Sequence, residues 1–155
     1  MPRPRYADRK SLLLGTALAS TLLLGSVLAP SSALAVDCVQ PASPNPINDT
    51  QATFITCVNT EPRTNPAGDA IYLNTTGDGS FIDLDNSGIL SATNPLGDAI
   101  GIHTTTVGDN SPIDIVNTGD IGATTSGTFS EAYGIYARTV GDGSPIDIVN
   151  SGASP

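Results

Sequence analysis

"VGDGSPIDIVNSG" spans residues 140–152, and "VGDNSPIDIVNTG" spans residues 107–119. Thirteen residues are thus written twice with two changes, Gly143 for Asn110 and Ser151 for Thr118. The match grows when Ile71, Ile102 and Ile135 are placed in register. Three lines then run without a gap: "IYLNTTGDGSFIDLDNSG" (71–88), "IHTTTVGDNSPIDIVNTG" (102–119) and "IYARTVGDGSPIDIVNSG" (135–152). The spacers share features too, with "GDAI" at both 68–71 and 97–100. A fixed period of 31–33 residues marks a repeat architecture.

Each period holds three short β-branched runs separated by turn residues. In the second period they are 100–107, 112–117 and 120–125, split by Gly108–Ser111 and by Thr118-Gly119. Three strands and three corners per repeat describe one coil of a parallel β-helix, whereas a four-stranded propeller blade needs roughly ten more residues. Strand side chains alternate between faces. Ile82 and Leu84, Ile113 and Ile115, and Ile146 and Ile148 therefore face inward and stack coil on coil. Asn86, Asn117 and Asn150 follow at a corner, where amide side chains can form a hydrogen-bonded ladder. Gly88, Gly119 and Gly152 come two residues later, and a turn there is expected to need φ > 0. The repeat exists because each copy packs on its own image.

The front of the chain reads differently. Arg3, Arg5, Arg9 and Lys10 precede an apolar run from Leu12 to Leu28, then Pro30, Ser31 and Ser32, then Ala33-Leu34-Ala35. This is the layout of a secretory signal peptide over 1–35, with cleavage expected after Ala35 and no membrane span thereafter. Four of the six basic residues lie in that leader, but of the fifteen acids only Asp8 does. Arg63 and Arg138 then face fourteen acids, which excludes nucleic-acid binding by phosphate neutralisation. Cys38 and Cys57 are an even pair in an exported chain and read as one disulfide. With Pro41, Pro44, Pro46 and Pro62, they mark residues 36–67 as an N-terminal cap, and residues 68–155 as the coils. A stack that stops in mid-coil reads as a truncated piece of a longer solenoid, because its last rung leaves strand edges unpaired.

The strands "AIGI" and "AYGIYA" (99–102, 132–137), the "GDGSPIDIVNSG" unit and the "NTGDI" corner (117–121) resemble the passenger domains of Gram-negative autotransporters and related adhesin-like exoproteins. A Cys pair just after a signal peptide looks like the start of such a passenger. The resemblance implies an all-β, right-handed parallel β-helix of about three coils. It also implies a non-catalytic stalk exported to the cell surface, the outer membrane or the medium. The partners it implies are a continuation of the same β-helix, a membrane β-barrel, and a host surface or glycan.

Side-chain chemistry offers weaker candidates. Asp83, Asp114 and Asp147 occupy equivalent outward positions, and calcium, which takes oxygen ligands, could bridge them; otherwise they form a solvated acidic stripe. No other cofactor is suggested. The "GDGS" and "GDNS" stretches read as plain corners rather than calcium loops. His103, the only histidine, aligns with Tyr72 and Tyr136 on the outward face. It is expected to be a surface residue, since a general base needs a partner and no signature supplies one. Tyr72, His103 and Tyr136 form a possible binding strip. Alternatives to a stalk are a polysaccharide-acting β-helix enzyme and a calcium-stabilised structural repeat.

Overall fold

A computed structural model of the chain describes residues 36–153, and residues 1–35, expected to be a signal peptide, lie outside them. Twelve β-strands and no helix make up the described residues. A short β1 (Val36–Asp37) precedes the coils. The first coil is β2 (Ile47–Gln51), β3 (Ile55–Asn59) and β4 (Arg63–Asn65). The second is β5 (Ile71–Thr76), β6 (Ile82–Asn86) and β7 (Leu90–Asn94). The third is β8 (Ala99–Val107), β9 (Ile113–Asn117) and β10 (Ile121–Thr125). Two strands of a fourth follow, β11 (Ala132–Val140) and β12 (Ile146–Asn150).

Every strand pairs in parallel with its counterpart one coil away, which gives three sheets ordered β1-β3-β6-β9-β12, β2-β5-β8-β11 and β4-β7-β10. This is a parallel β-solenoid of about three turns. The strand limits expected for the second period, 100–107, 112–117 and 120–125, differ from β8, β9 and β10 only at their first residues. Residues 47–65, inside the stretch read as a cap, are themselves a coil in register with the next: Ile47 lies beside Ile71, Ile55 beside Ile82 and Arg63 beside Leu90. That coil lacks the "GDGS" corner between β2 and β3. Its connection from β4 to β5 is also shorter, so Asn59 is followed by Asn86 after 27 residues where later asparagines recur after 31 and 33.

The core is built of columns. Ile55, Ile82, Ile113 and Ile146 form one; Cys57, Leu84, Ile115 and Ile148 form the next. The first three members of each are buried, whereas Ile146 and Ile148 on the last rung are 41% and 42% exposed. Burial thus requires a neighbouring coil, as nearest-neighbour packing dictates. Cys38 and Cys57 are disulfide-bonded, so the bridge covers the N-terminal end of the second column. Phe54 and Phe81, one residue before the first column, stack with centroids 5.1 Å apart.

The asparagine ladder forms and is longer than the three residues expected. Asn59 Nδ2 donates to Asn86 Oδ1 (2.6 Å), Asn86 to Asn117 (2.6 Å) and Asn117 to Asn150 (2.7 Å). The same Nδ2 groups also donate within their own corners, to the carbonyls of Glu61, Gly88 and Gly119. Asn59, Asn86 and Asn117 are buried. Leaving one such amide without its partner costs about 1–3 kcal/mol, so the ladder sets register as well as stability.

The corner glycines need correction. Gly88, Gly119 and Gly152 do not adopt positive φ. They are required by close approach: an added Cβ would collide with the carbonyl oxygen of Glu61, Gly88 or Gly119 one coil below. Within the two copies, positive φ falls instead at Gly108 and Gly141 (140° and 143°) and at the position in the corner where the copies differ. Asn110 has φ 53° and Gly143 φ 66°, and these are the two residue types that take this conformation most readily. At the second difference, Thr118 and Ser151 donate their backbone N–H to the carbonyls of Asn86 and Asn117 (2.8 and 2.9 Å), a bond indifferent to the side chain.

Gly119→Ala should therefore lower stability by about 2 kcal/mol or more, since backbone must move. Gly122→Ala should leave it within about 0.5 kcal/mol, because its Cβ would meet only Leu90 O at 3.8 Å. Denaturant unfolding of the two variants side by side checks this.

Candidate functional site

The outward face of the β2–β5–β8–β11 sheet gathers the side chains that do not simply repeat. Register places Tyr72 beside His103 and His103 beside Tyr136. Their rings meet edge to face, with centroids 5.0 and 5.1 Å apart, the spacing of neighbouring strands. Tyr133 adds a fourth ring 5.7 Å from Tyr136. The three residues expected to form a strip are thus contiguous.

His103 is not the unpartnered surface residue expected. Its Nδ1 lies 2.8 Å from Asp69 Oδ2, and the two side chains are only 22% and 21% exposed. Asp69 comes from the corner before β5. That corner is set by Asn65, whose Nδ2 donates to Asp69 O (2.7 Å) and whose Oδ1 accepts from Ala67 N. The next coil repeats the device, with Asn94 Nδ2 donating to Asp98 O (2.9 Å). An ionised carboxylate can only accept, so Nδ1 is the donor in this contact, and the ring is held by it. Among the described residues no hydroxyl hydrogen-bonds to the His103 ring. In sequence, Asp69 could be found only by noticing that "NPAGDA" (65–70) and "NPLGDA" (94–99) are the same corner.

Two shallow depressions flank the strip. One of ≈ 350 Å³ is lined by Asn48, Asp69, Tyr72 and Asp98 among others. The other, of ≈ 430 Å³, is lined by Asp98, His103, Glu131, Tyr136 and Arg138 among others. Asp98 Oδ1 accepts from Glu131 N (2.9 Å), and Glu131 accepts from the Tyr133 hydroxyl. The surface is polar and aromatic, and its chemistry is that of hydrogen bonding and ring contact.

The repeated acids behave differently. Asp83, Asp114 and Asp147 are in register and outward on β6, β9 and β12. Desolvation raises the Asp83 carboxyl above its ordinary value, and the charges of Asp85 and Asp114 add to it. Among the described residues no group of three or more His, Cys, Asp or Glu is placed to hold a metal ion. The corner aspartates are engaged in stacking. Asp78 Oδ1 accepts from Asp109 N (3.0 Å), and Asp109 Oδ1 from Asp142 N (2.9 Å). Beside them Ser80, Ser111 and Ser144 form a second polar ladder, in which Ser80 Oγ donates to Ser111 Oγ (3.3 Å) and Ser111 N to Ser144 Oγ (2.9 Å). The "GDGS" corner is thus a staple between coils.

Comparison with protein-family models, with characterised proteins and with solved structures finds no match to this chain.

Asp83 carries a pH prediction. Its carboxyl is raised on folding, so the ionised form destabilises the fold above the folded value. That cost fades as the pH falls, and it is gone below 3.8, where folded and unfolded chains both hold the proton. Asp83→Asn should therefore raise the melting temperature at pH 7 and leave it unchanged near pH 3. An equal shift at both values would separate the effect from charge.

Proposed function

We propose that this chain is a non-catalytic, exported β-solenoid that works as a stiff stalk and presents one face to a partner. The observation that carries the reading is the division of its polar groups. Those that recur from coil to coil, the asparagine ladder and, from the second coil on, the serine and corner aspartate ladders, are engaged in coil-to-coil hydrogen bonds. Those that occur once, His103, Tyr133 and Arg138 around the aromatic strip, are left for recognition.

The leader at 1–35 and the Cys38–Cys57 bridge support export to an oxidising compartment. Ile146 and Ile148, 41% and 42% exposed, form an apolar rung suited to packing against a further β-structure. In this reading the chain is the front of an autotransporter-like passenger, held at the outer membrane by a β-barrel or released to the medium. A host surface or glycan is the partner its polar aromatic face suits.

Antibodies against residues 37–66 should label intact cells of the source organism or precipitate the protein from the medium. Label seen only after permeabilisation would overturn the exported stalk.

A second reading rests on one observation, the His103–Asp69 pair, because an imidazole oriented by a carboxylate is what a general base needs. A polysaccharide-acting enzyme should release reducing ends from a glycan panel, and His103→Gln should abolish that release. No release from any glycan leaves the stalk reading in place.

A further inference from the structure

The N-terminal end of the stack holds a buried cation that the repeat pattern does not call for. Arg63 occupies the column filled by Leu90 and Ile121 in the following coils, and it is 2% exposed. Its Nε donates to Asn59 Oδ1 (2.8 Å), which ends the asparagine ladder. Its Nη1 donates to Pro41 O (2.6 Å) and Asn45 O (3.4 Å), and its Nη2 to Gln40 Oε1 (3.0 Å). No carboxylate is within ion-pair distance, since the His103–Asp69 pair is the only such contact among the described residues. Neutral oxygens alone replace water around the guanidinium, and three of the four belong to residues 40–45. Without them the same burial is strongly unfavourable.

Those oxygens sit on a connection between β1 and β2 that has no strand of its own. Side-chain and backbone bonds hold it: Val39 N to Asp49 Oδ2 (3.1 Å), Ser43 Oγ to Pro62 O (2.8 Å) and Thr64 N to Pro44 O (2.6 Å). Its covalent anchor is the Cys38–Cys57 disulfide at its first residue. Covalent anchor and buried charge are thus linked through one short segment.

We propose that residues 38–46 are a redox-operated strap, closed over Arg63 by the Cys38–Cys57 disulfide and released when that bond is reduced. A dithiol reductant supplies two electrons and two protons, Cys38 and Cys57 become thiols, and the dithiol leaves as its own disulfide. The freed strap takes its oxygens from Arg63, the guanidinium turns to water, and the first coil opens while Asn86 and Asn117 keep the later coils in register. The chain then completes its N-terminal end only in an oxidising compartment.

A disulfide that acts solely by shortening the unfolded chain would stabilise regardless of what lies under the strap. The two cases separate in a cycle between the native chain and Arg63→Met, each melted oxidised and with excess dithiothreitol. Methionine suits the Leu90–Ile121 column and needs no strap oxygens. Reduction should lower the native melting temperature by roughly 10 °C more than that of Arg63→Met. Equal drops would overturn the proposal, as would loss of all structure in both reduced chains. Hydrogen exchange in the native chain gives a second readout. On reduction the Thr64 amide should exchange at least roughly tenfold faster while the β9 amides hold their protection. Unchanged protection at Thr64 would overturn the strap even if Arg63→Met fails to fold.

Discussion

Parallel strands stacked one coil apart leave each side chain about 4.8 Å from its own counterpart, and the rest of this structure follows from that spacing. A position can be filled only by a residue able to pack against a near copy of itself. Isoleucine and leucine satisfy this in the core columns. Asparagine satisfies it at the corner because an amide is both donor and acceptor, so each link of the Asn59–Asn150 ladder is made by the same group. Glycine satisfies it at 88, 119 and 152, where the carbonyl below leaves no room for a Cβ. Outward carboxylates satisfy it poorly, and the raised Asp83 is the consequence.

Stacking also makes the first coil a special problem, since among the described residues only the two-residue β1 pairs below it. Here the end is closed by different chemistry from the interior. Cys57 replaces the leucine or isoleucine of its column and bonds to Cys38. Arg63 replaces the leucine of another column and ends the amide ladder with a donor that needs no further acceptor from the stack. Asp49 stands beside Leu73 in a third column and accepts from Val39 N and Gln51 Nε2. Three polar or covalent substitutions at inward positions, all in one coil, are the signature of a solenoid end built within its own register.

The outer surface divides by the same logic. What recurs in every coil serves the coil, and what breaks the recurrence is available for something else. His103 interrupts a column of tyrosines, and the corner of the preceding coil brings Asp69 to its ring. Arg138 is the one basic residue on that face among the described residues, set among Asp98, Glu131 and the tyrosines. This is a surface suited to contact over several rungs, with the solenoid axis as its long direction.

The repeat itself carried most of the architecture. Three ungapped lines define which residues share a column, and the alternation within "IDIVN" defines which face points inward, because neither depends on anything outside the segment. The Ile/Leu columns, the asparagine ladder, the Asp83 stripe and the Tyr72–His103–Tyr136 strip were therefore legible from residues 71–152. Three matters were decided only in the folded chain. The first coil was hidden by shorter connections after β2 and after β4, which break the fixed period while keeping the strand pattern "ITCVN". The corner glycines answer to an atom one coil away, and no local conformational preference reports a collision with a distant carbonyl. Asp69 and His103, and likewise Arg63 and Pro41, are 34 and 22 residues apart and belong to different columns, so their contacts arise where a corner folds over a neighbouring rung. A linear repeat specifies like beside like; contacts between unlike positions depend on the path of the loops, which only the tertiary structure sets.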